Sequence, residues 1–360
     1  MRARPLSALS AVGQASKGSR MITTSPQPRQ LGSRTWQQEL AEAITSPEEL
    51  AAALGLSPRA ILGAHAAGRH FPLRVPRSFV ARMRPGDLGD PLLRQVLPAA
   101  AELTAEAGYV DDPVGERSAL RTRGLLQKYR GRALLVTTST CAVHCRYCFR
   151  REFPYAQQKG DAPRWSEALA EIRADASLEE IILSGGDPLS LSNARLESLT
   201  RALAAIPHVR RIRVHTRQPV VLPSRVDEGL LRWLRAAALP TVLVLHVNHP
   251  NELDAELAAA CGRLRATGVT LLNQSVLLAG VNDDVAVLSE LSRRLFDAGV
   301  LPYYLHALDP VRGASHFAVA DERAQTLAGR LAAQLPGYLV PRLVREVSGA
   351  PAKITLGPIF

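Results

Sequence analysis

The chain has 360 residues, 46% of them apolar, which is enough to bury the core of one large domain. No stretch has the length and apolar content of a membrane span. The formal charge of +11 suggests nucleic-acid binding, but six positive charges precede the first acid, Glu39, and the remainder is only mildly basic. Composition therefore predicts neither a membrane nor a nucleic acid as a partner.

The first 33 residues are rich in arginine and serine and are expected to lie outside the fold. Such a segment is typical of a transit peptide. Translation from an upstream start codon, with Met21 as the true start, is the simpler interpretation. We predict that residues 1–33 are a disordered tail.

Residues 34–125 are predicted to form a mostly helical unit, because apolar residues recur there at helical spacing. One helix start is well marked. Ser46 has the character of an N-cap, Pro47 follows at the first helical position, and the acids Glu48 and Glu49 fill the first turn.

Beyond this unit, short β-rich runs alternate with amphipathic stretches. Strands are predicted at 133–137, 180–184, 209–216, 241–247, 269–278 and 301–308, and helices at 164–175, 193–205, 226–237, 252–266, 284–298 and 320–334. Six such repeats indicate a parallel sheet. A Rossmann fold shares the alternation, but no Gly-x-Gly-x-x-Gly motif follows the first strand. We therefore predict an α/β fold, a partial (β/α)6 barrel over 126–335 with a C-terminal segment at 336–360.

Three of the four cysteines follow the first predicted strand, as Cys141, Cys145 and Cys148. Three thiolates leave one iron of a [4Fe–4S] cluster open to a ligand, whereas four thiolates would close it. Structural zinc is the alternative, but no fourth ligand lies at the spacing that zinc requires. The remaining cysteine, Cys261, is expected in the core of an apolar helix. This cysteine usage indicates a reducing, cytoplasmic compartment.

Lys353 is the second residue with a chemical signal. The chain has 44 lysines and arginines, of which only four are lysine. A position that stays lysine where arginine is the usual cation can require an amine that loses its proton and forms an imine. The alternative is a surface lysine in a loop bounded by Gly349, Pro351 and Pro358, and rarity alone leaves both interpretations open.

The stretch from Lys128 to Lys353 resembles the lysine 2,3-aminomutase family of radical S-adenosylmethionine (SAM) enzymes. The likeness rests on the runs KYRGRALLVTTSTCAVHCRYCFRR, IILSGGDPLSL, RIRVHTRQPVVLPSRV, HVNHPNEL, LLNQSVLLAGVNDD and LPYYLHALDPVRGASHF. It implies a radical SAM barrel, a [4Fe–4S] cluster on the three cysteines, SAM on the open iron, and pyridoxal 5′-phosphate (PLP) on Lys353. The implied reaction isomerises L-lysine to (R)-β-lysine with an electron from an external donor.

The chain also ends seven residues after Lys353, without the longer tail of clostridial members. This brevity resembles the subgroup that makes β-lysine for modification of elongation factor P. The resemblance therefore implies elongation factor P or its β-lysine ligase as a candidate partner.

The resemblance also implies roles for individual residues. Arg132 and Lys128 match contacts to the PLP phosphate, and Arg217 matches an arginine beside the PLP ring. Arg150 matches the clamp on the substrate carboxylate, a role that suits its planar fork. Further cofactor contacts are expected at Gly185, Gly186, Asp187 and Gln274. Paired glycines after a strand also make plain tight turns, so the glycine pair alone is a weak signal.

Two acids are expected to receive the ε-ammonium group of the substrate. Asp309 matches the first acid of the family, and Glu346, seven residues before Lys353, takes the place of a second aspartate. A negative pair favours a cationic side chain. Structural roles stay open, since Asp309 precedes Pro310 and can form a turn, and Glu346 can pair with a nearby arginine.

Two other functions stay open. A radical SAM aminomutase acting on another amino acid fits the same motifs, because the two acids argue only against acidic substrates. An iron–sulfur or zinc protein that binds nucleic acid would use the basic surface, although the sequence lacks concentrated basic helices and interleaved aromatic residues.

Overall fold

The fold is built on a sheet of ten strands, in a computed structural model that describes residues 35–155 and 165–360. The strands lie side by side in chain order, as β1 Leu120–Thr122, β2 Leu125–Tyr129, β3 Arg132–Thr138, β4 Glu180–Gly185, β5 Arg211–Thr216, β6 Thr241–Leu245, β7 Thr270–Val276, β8 Leu301–His306, β9 Arg342–Arg345 and β10 Ile354–Thr355. Neighbours from β3 to β9 pair in parallel, and β1, β2 and β10 add antiparallel edges. The tail predicted at 1–33 lies outside the described residues.

Short helices precede the sheet. They are α1 Trp36–Ala41, α2 Pro47–Ala53, α3 Ala64–His70, α4 Arg77–Val80 and α5 Pro91–Arg94, with 3₁₀ turns at Pro58–Ile61 and Ala100–Leu103. The predicted start of α2 is confirmed, because Ser46 Oγ accepts hydrogen bonds from the backbone N–H groups of Glu48 and Glu49. Residues 104–119 contain neither a helix nor an extended strand, so the helical part of the predicted unit ends earlier than expected.

Helices also connect the parallel strands and confirm the predicted alternation. They are α6 Ser166–Ala174, α7 Asn193–Ala204, α8 Gln218–Val221, α9 Glu228–Arg235, α10 Ala255–Arg265, α11 Val285–Asp297 and α12 Asp321–Gln334. The six predicted strands correspond to β3 to β8, and the sheet stays open between its edges β1 and β10, as expected of a partial barrel. A seventh parallel strand, β9, was not predicted, because four residues with two arginines are too short a run to show a period.

The hydrophobic core has two main parts. The larger part lies between the parallel strands and the helices that cover them, and it includes Cys261, which is fully buried in α10 as predicted. The second part joins Trp36 and Phe79 of the N-terminal helices to Val143 and Val221. Residues Thr35–Phe360 accordingly form one compact unit, and the division into 34–125, 126–335 and 336–360 stays a prediction. Among the described helices, none has the length and hydropathy of a membrane span.

Alternation along the strands separates this core from an inner, polar face. In β5, Val214 is buried in the core, while Arg213 and His215 on either side of it face the interior of the barrel. Gln274 of β7 and His306 of β8 also face this interior. Side chains alternate along each strand, so the apolar ones pack against the helices on one face of the sheet. The polar ones lie on the opposite, inner face.

Candidate active site

A cavity of about 570 Å³, here called the central cavity, lies on the inner face of the sheet. It is large enough to hold cofactor-sized molecules. All the residues singled out from the sequence line it: Cys141, Cys145, Cys148, Lys128, Arg132, Arg150, Gly185, Gly186, Asp187, Arg217, Gln274, Asp309, Glu346 and Lys353. The structure therefore brings together residues that are separated by more than 200 positions in the chain.

The three cysteines occupy the loop after β3, the cysteine loop (141–148). All three are free thiols and half-buried. Burial raises the pKa of Cys148 to about 11, so iron must displace a proton to bind this sulfur. Within the described residues, no three His, Cys, Asp or Glu side chains converge on a point that would hold one metal ion.

The cysteine loop is anchored by the N-terminal helices. Arg146, fully buried within the loop, donates to both carboxylate oxygens of Glu102, at 2.8 and 2.5 Å, and to the carbonyl of Phe71 at 2.7 Å. Arg151 donates to the same carboxylate at 2.9 Å. Sequence reasoning missed Glu102, because no local pattern connects it with arginines more than forty residues away.

Gly185 and Gly186 lie where β4 ends against the cysteine loop. A Cβ on Gly186 would lie 2.5 Å from the carbonyl oxygen of Thr140, and Gly185 has a φ of +116° that favours glycine. The Gly185 carbonyl accepts hydrogen bonds from Arg150 at 3.2 Å and from the Tyr155 hydroxyl at 2.7 Å. Close backbone approach thus explains both glycines, and the Gly185 carbonyl has partners within the protein.

Asp187 connects the ends of β4 and β5. Its carboxylate accepts hydrogen bonds from the backbone N–H groups of Leu189, Arg217 and Gln218 and from the Thr216 hydroxyl. Burial raises its pKa, and these bonds oppose the change. These four hydrogen bonds occupy the acceptor sites of the carboxylate. Asp187 therefore holds the ends of β4 and β5 together.

Arg217 lies on the cysteine side of the central cavity. Its Nη1 donates to Cys145 Sγ at 2.8 Å and to the Tyr147 hydroxyl at 2.6 Å, and its Nη2 pairs with Glu252 at 3.0 Å. Its place beside the PLP ring stays a prediction, and its contacts here are with the cysteine loop and with Glu252.

Arg150 is buried, and its guanidinium group forms a two-bond ion pair with Glu116. Nε and Nη2 donate to the Glu116 carboxylate at 2.8 and 2.5 Å, and Nη1 donates to Ser184 Oγ at 2.8 Å. Burial acts to lower the pKa of Arg150, but Glu116 raises it, so the guanidinium stays charged. Sequence reasoning missed Glu116, which lies in the irregular stretch before β1 and carries no motif. A substrate carboxylate would have to share Arg150 with this acid.

Lys353 and Glu346 lie opposite each other at the loop end of the hairpin that β9 and β10 form. β9 and β10 pair antiparallel with Arg345 opposite Ile354, a register that brings the next residues, Glu346 and Lys353, together. Lys353 Nζ pairs with the Glu346 carboxylate, which also accepts from Lys128 at 3.3 Å and from the Tyr129 hydroxyl at 2.8 Å. Lys128, predicted at the PLP phosphate, is thus paired with Glu346.

Asp309 and Glu346, two of the acids that line the cavity, have pKa values shifted in opposite directions. Burial and the neighbouring charge of Glu346 raise the pKa of Asp309 to about 7. Burial also acts to raise the pKa of Glu346, but Lys353 and Lys128 lower it to about 2. Arg345, one possible arginine partner of Glu346, pairs with Asp321 instead. Asp309 does stand in a tight turn, because its carbonyl accepts from the Val311 N–H at 2.7 Å, and it also lines the cavity.

Comparison with known proteins decides the family. Residues 135–287 match the sequence profile of the Radical SAM superfamily. The chain is 47% identical to L-lysine 2,3-aminomutase of Escherichia coli, over 89% of this chain and 94% of the relative. The same-named protein of Haemophilus influenzae is 45% identical over 89% and 95%, and that of Clostridium subterminale 34% over 90% and 78%. The chain belongs to the lysine 2,3-aminomutase family.

Membership in this aminomutase family makes the protein an isomerase with three cofactors. The radical SAM domain implies a [4Fe–4S] cluster and SAM, and lysine 2,3-aminomutases depend on PLP. Two buried imidazole nitrogens in the cavity, Nε2 of His215 and of His306, have no partner among the described residues. Burial lowers the pKa of both rings, to about 3 for His306, so both are neutral. Unpartnered buried nitrogens fit a cavity that takes a polar cofactor.

Two arginines that line the central cavity, Arg132 and Arg342, could hold an anionic group. Arg132 at the start of β3 stacks 4.7 Å from the Tyr129 ring, and Arg342 at the start of β9 stacks 5.1 Å from the Tyr304 ring. Neither pairs with a carboxylate in the described part of the chain. Arg342 was missed by sequence reasoning because it lies on the strand that was not predicted. Gln274, which was expected to contact a cofactor, has its side-chain Nε2 at 2.9 Å from Nε2 of His246.

Proposed function

We propose that this aminomutase family member converts L-lysine to (R)-β-lysine, using an electron from an external donor. The observation that carries the proposal is one cavity that holds three cysteine thiols at one wall and Lys353, with two acids, at another. The names of the relatives, L-lysine 2,3-aminomutase, support the same substrate.

The cofactors would be divided between the two ends of the cavity. Cys141, Cys145 and Cys148 would hold the cluster and leave one iron for SAM. Lys353 would hold PLP, with Arg132 on its phosphate, a pairing that suits the planar guanidinium. When bound, PLP stabilises the charge or unpaired electron next to the migrating nitrogen. The protein contributes position and the exclusion of water.

The acids of the cavity favour a substrate with a cationic end. Glu346 is ionised at neutral pH, and Asp309 lies in the same cavity without a hydrogen-bond partner for its carboxylate among the described residues. An ε-ammonium group beside Asp309 would lower the pKa of this acid and draw it into a second ion pair. Arg150 would hold the substrate carboxylate through the one N–H of Nη2 that Glu116, Ser184 and the Gly185 carbonyl leave unused among the described residues.

Glu346 also has a role in the exchange of amines at Lys353. Its carboxylate already pairs with Lys353 Nζ, so it would keep this amine at the cavity wall whenever the amine is free. With substrate bound, Glu346 would face the Lys353 amine and the ε-ammonium group of the substrate at the same time, and positive charge beside it favours its ionised form.

We further propose, from the resemblance to the elongation factor P subgroup, that the β-lysine serves to modify elongation factor P, with that factor or its ligase as a partner. The location would be cytoplasmic. Incubating purified protein with elongation factor P, its ligase and L-lysine, and measuring the mass of the factor, tests the first part. An unmodified factor alongside active β-lysine formation would remove it.

The main test is formation of β-lysine. Anaerobically reconstituted protein is incubated with L-lysine, SAM and dithionite, and the products are separated by chiral chromatography. L-arginine and L-glutamate are run in parallel, since preferential turnover of either would favour the alternative of another amino acid. Strong RNA affinity in protein without PLP absorbance would instead favour the nucleic-acid alternative.

The matched variant is Lys353→Ala. We expect it to lose PLP absorbance and β-lysine formation while it keeps the cluster and reductive cleavage of SAM, because the cysteines lie at a different wall of the cavity. Normal β-lysine formation by this variant would refute the assignment of Lys353.

A further inference from the structure

Arg217 is a buried arginine whose guanidinium touches a cysteine sulfur. Nη1 lies 2.8 Å from Cys145 Sγ, and the side chain is only 5% exposed. Hydrogen bonds to the sulfurs of an iron–sulfur cluster change the free energy with which the cluster accepts an electron. We propose that Arg217 raises the reduction potential of the cluster through this contact. The inference rests on the cluster assigned to Cys145 in the proposed function.

The guanidinium is held in a fixed direction. The Arg217 backbone N–H donates to Asp187 at 2.7 Å where β5 ends, and Nη2 donates to Gln95 Oε1 at 2.6 Å. The guanidinium carbon lies 5.5 Å from the centre of the Phe79 ring and 5.6 Å from that of Tyr147. Nε has no partner among the described residues, so the direction of Nη1 toward the sulfur is set by the contacts of Nη2, by the Tyr147 hydroxyl, which Nη1 also contacts at 2.6 Å, and by the two rings.

A buried carboxylate balances the charge of Arg217. Glu252 is fully buried, pairs with Nη2 at 3.0 Å, and accepts from the backbone N–H groups of Asn248 and His249. The positive end of the pair therefore faces Cys145, while the negative end is held by other donors. Solvent and salt screen buried charges only weakly. The orientation of the Arg217–Glu252 pair, with its positive end toward Cys145, therefore affects the energy of a negative charge at the sulfur.

The pair makes two variants shift the potential in opposite directions. Removing Arg217 takes away a donor to sulfur and leaves the charge of Glu252 uncompensated, so adding an electron to the cluster becomes harder. Neutralising Glu252 leaves the charge of Arg217 uncompensated, so adding an electron becomes easier. Damage to packing alone predicts no such reversal of sign.

The role that follows concerns the flow of one electron. The external donor supplies it, and the cluster holds it before the sulfonium of SAM accepts it. A less negative potential makes the first transfer easier and the second harder. Arg217 is thus a positioning residue that acts through Cys145 and sets this balance.

The test is a potentiometric titration of the reconstituted cluster without SAM, followed by the EPR signal of the reduced [4Fe–4S] form. For Arg217→Met we expect about a tenfold lower ratio of reduced to oxidised cluster at a given potential, which is about 59 mV for one electron. Glu252→Gln is expected to move the ratio the other way. Arg225→Met is the control, because Arg225 is also fully buried but donates to the carbonyls of Leu189 and Leu191 and does not line the cavity.

The outcomes separate this inference from the proposed function. Wild-type protein without a [4Fe–4S] signal would remove the cluster assignment itself. A wild-type signal with unchanged potentials in both variants, or with shifts of the same sign, overturns the role of Arg217 alone. If Arg217→Met does not retain iron, Arg217→Lys takes its place, with a smaller downward shift expected, and an unshifted potential in it and in Glu252→Gln overturns the inference.

Discussion

Asp309 shows how the cavity controls a single residue. Its carboxyl group has no hydrogen-bond partner among the described residues, and burial with the charge of Glu346 raises its pKa to about 7. The ordinary value of 3.8 applies in the unfolded chain. Between these two values the folded protein binds a proton that the unfolded chain does not. The stability that this proton contributes is complete below about pH 4 and is lost as the pH rises through about 7.

Asp309→Asn should remove this dependence, because asparagine stays neutral at every pH. We expect the free energy of unfolding of the variant to rise relative to wild type by roughly 1–3 kcal/mol between pH 4.5 and pH 8. Urea unfolding of both proteins across this range measures the difference. Curves that stay parallel would show that Asp309 titrates near its ordinary value.

At the scale of elements, the contact between β4 and the cysteine loop depends on two glycines. A Cβ on Gly186 would lie 2.5 Å from Thr140 O and 2.8 Å from the carbonyl carbon of Ser139, and both are backbone atoms that cannot swing aside. The loop would have to move, and Cys141 moves with it. The glycines at this position are thus explained by backbone packing, whatever they contact in SAM.

Gly186→Ala is therefore expected to lower the free energy of unfolding by about 1–3 kcal/mol and to reduce the iron bound per chain. Gly262→Ala is the matched control. Gly262 lies in α10 with no atom within 4 Å of an added Cβ, so alanine should stabilise that helix by about 0.5–1 kcal/mol. Urea unfolding and iron analysis after anaerobic reconstitution measure both effects. Full iron loading with unchanged stability in Gly186→Ala would contradict the packing argument.

The hairpin of β9 and β10 is a second element with a functional consequence. Its register, more than any property of either residue, places Glu346 against Lys353. A slip of one residue in this register would turn one of the two side chains to the opposite face of its strand, since side chains alternate along a strand.

On the scale of the whole molecule, the N-terminal helices and the barrel share buried charges as well as a core. Glu102 in the N-terminal region pairs with Arg146 and Arg151, and all three side chains are at most 3% exposed. Removal of one partner of such a group leaves buried charges without compensation. The N-terminal region is thus part of the support of the cysteine loop.

Glu102→Ala should lower the free energy of unfolding by about 3–5 kcal/mol in a single transition that includes both regions. Glu197→Ala, which removes an exposed pair with Arg201 on α7, should change it by less than about 0.5 kcal/mol. Denaturation followed by circular dichroism and tryptophan fluorescence tests the prediction. Separate transitions for the two probes would show that the regions unfold independently.

Local patterns were enough for much of this protein. The strand and helix periods predicted β3 to β8 and the helices between them except the short α8, because apolar spacing can be read from consecutive residues. The spacing of Cys141, Cys145 and Cys148 pointed to the cluster for the same reason. The rarity of lysine left the role of Lys353 open, and the resemblance to the family decided it.

Only the tertiary structure decided which charges meet. Lys128 pairs with Glu346, which lies 218 residues away, and Arg217 meets Cys145 across 72 residues. Arg150 likewise finds Glu116, a residue with no motif around it. A buried charge pairs with whichever charged side chain the sheet and its loops bring near it. The distance between two such side chains in space cannot be read from their positions along the chain.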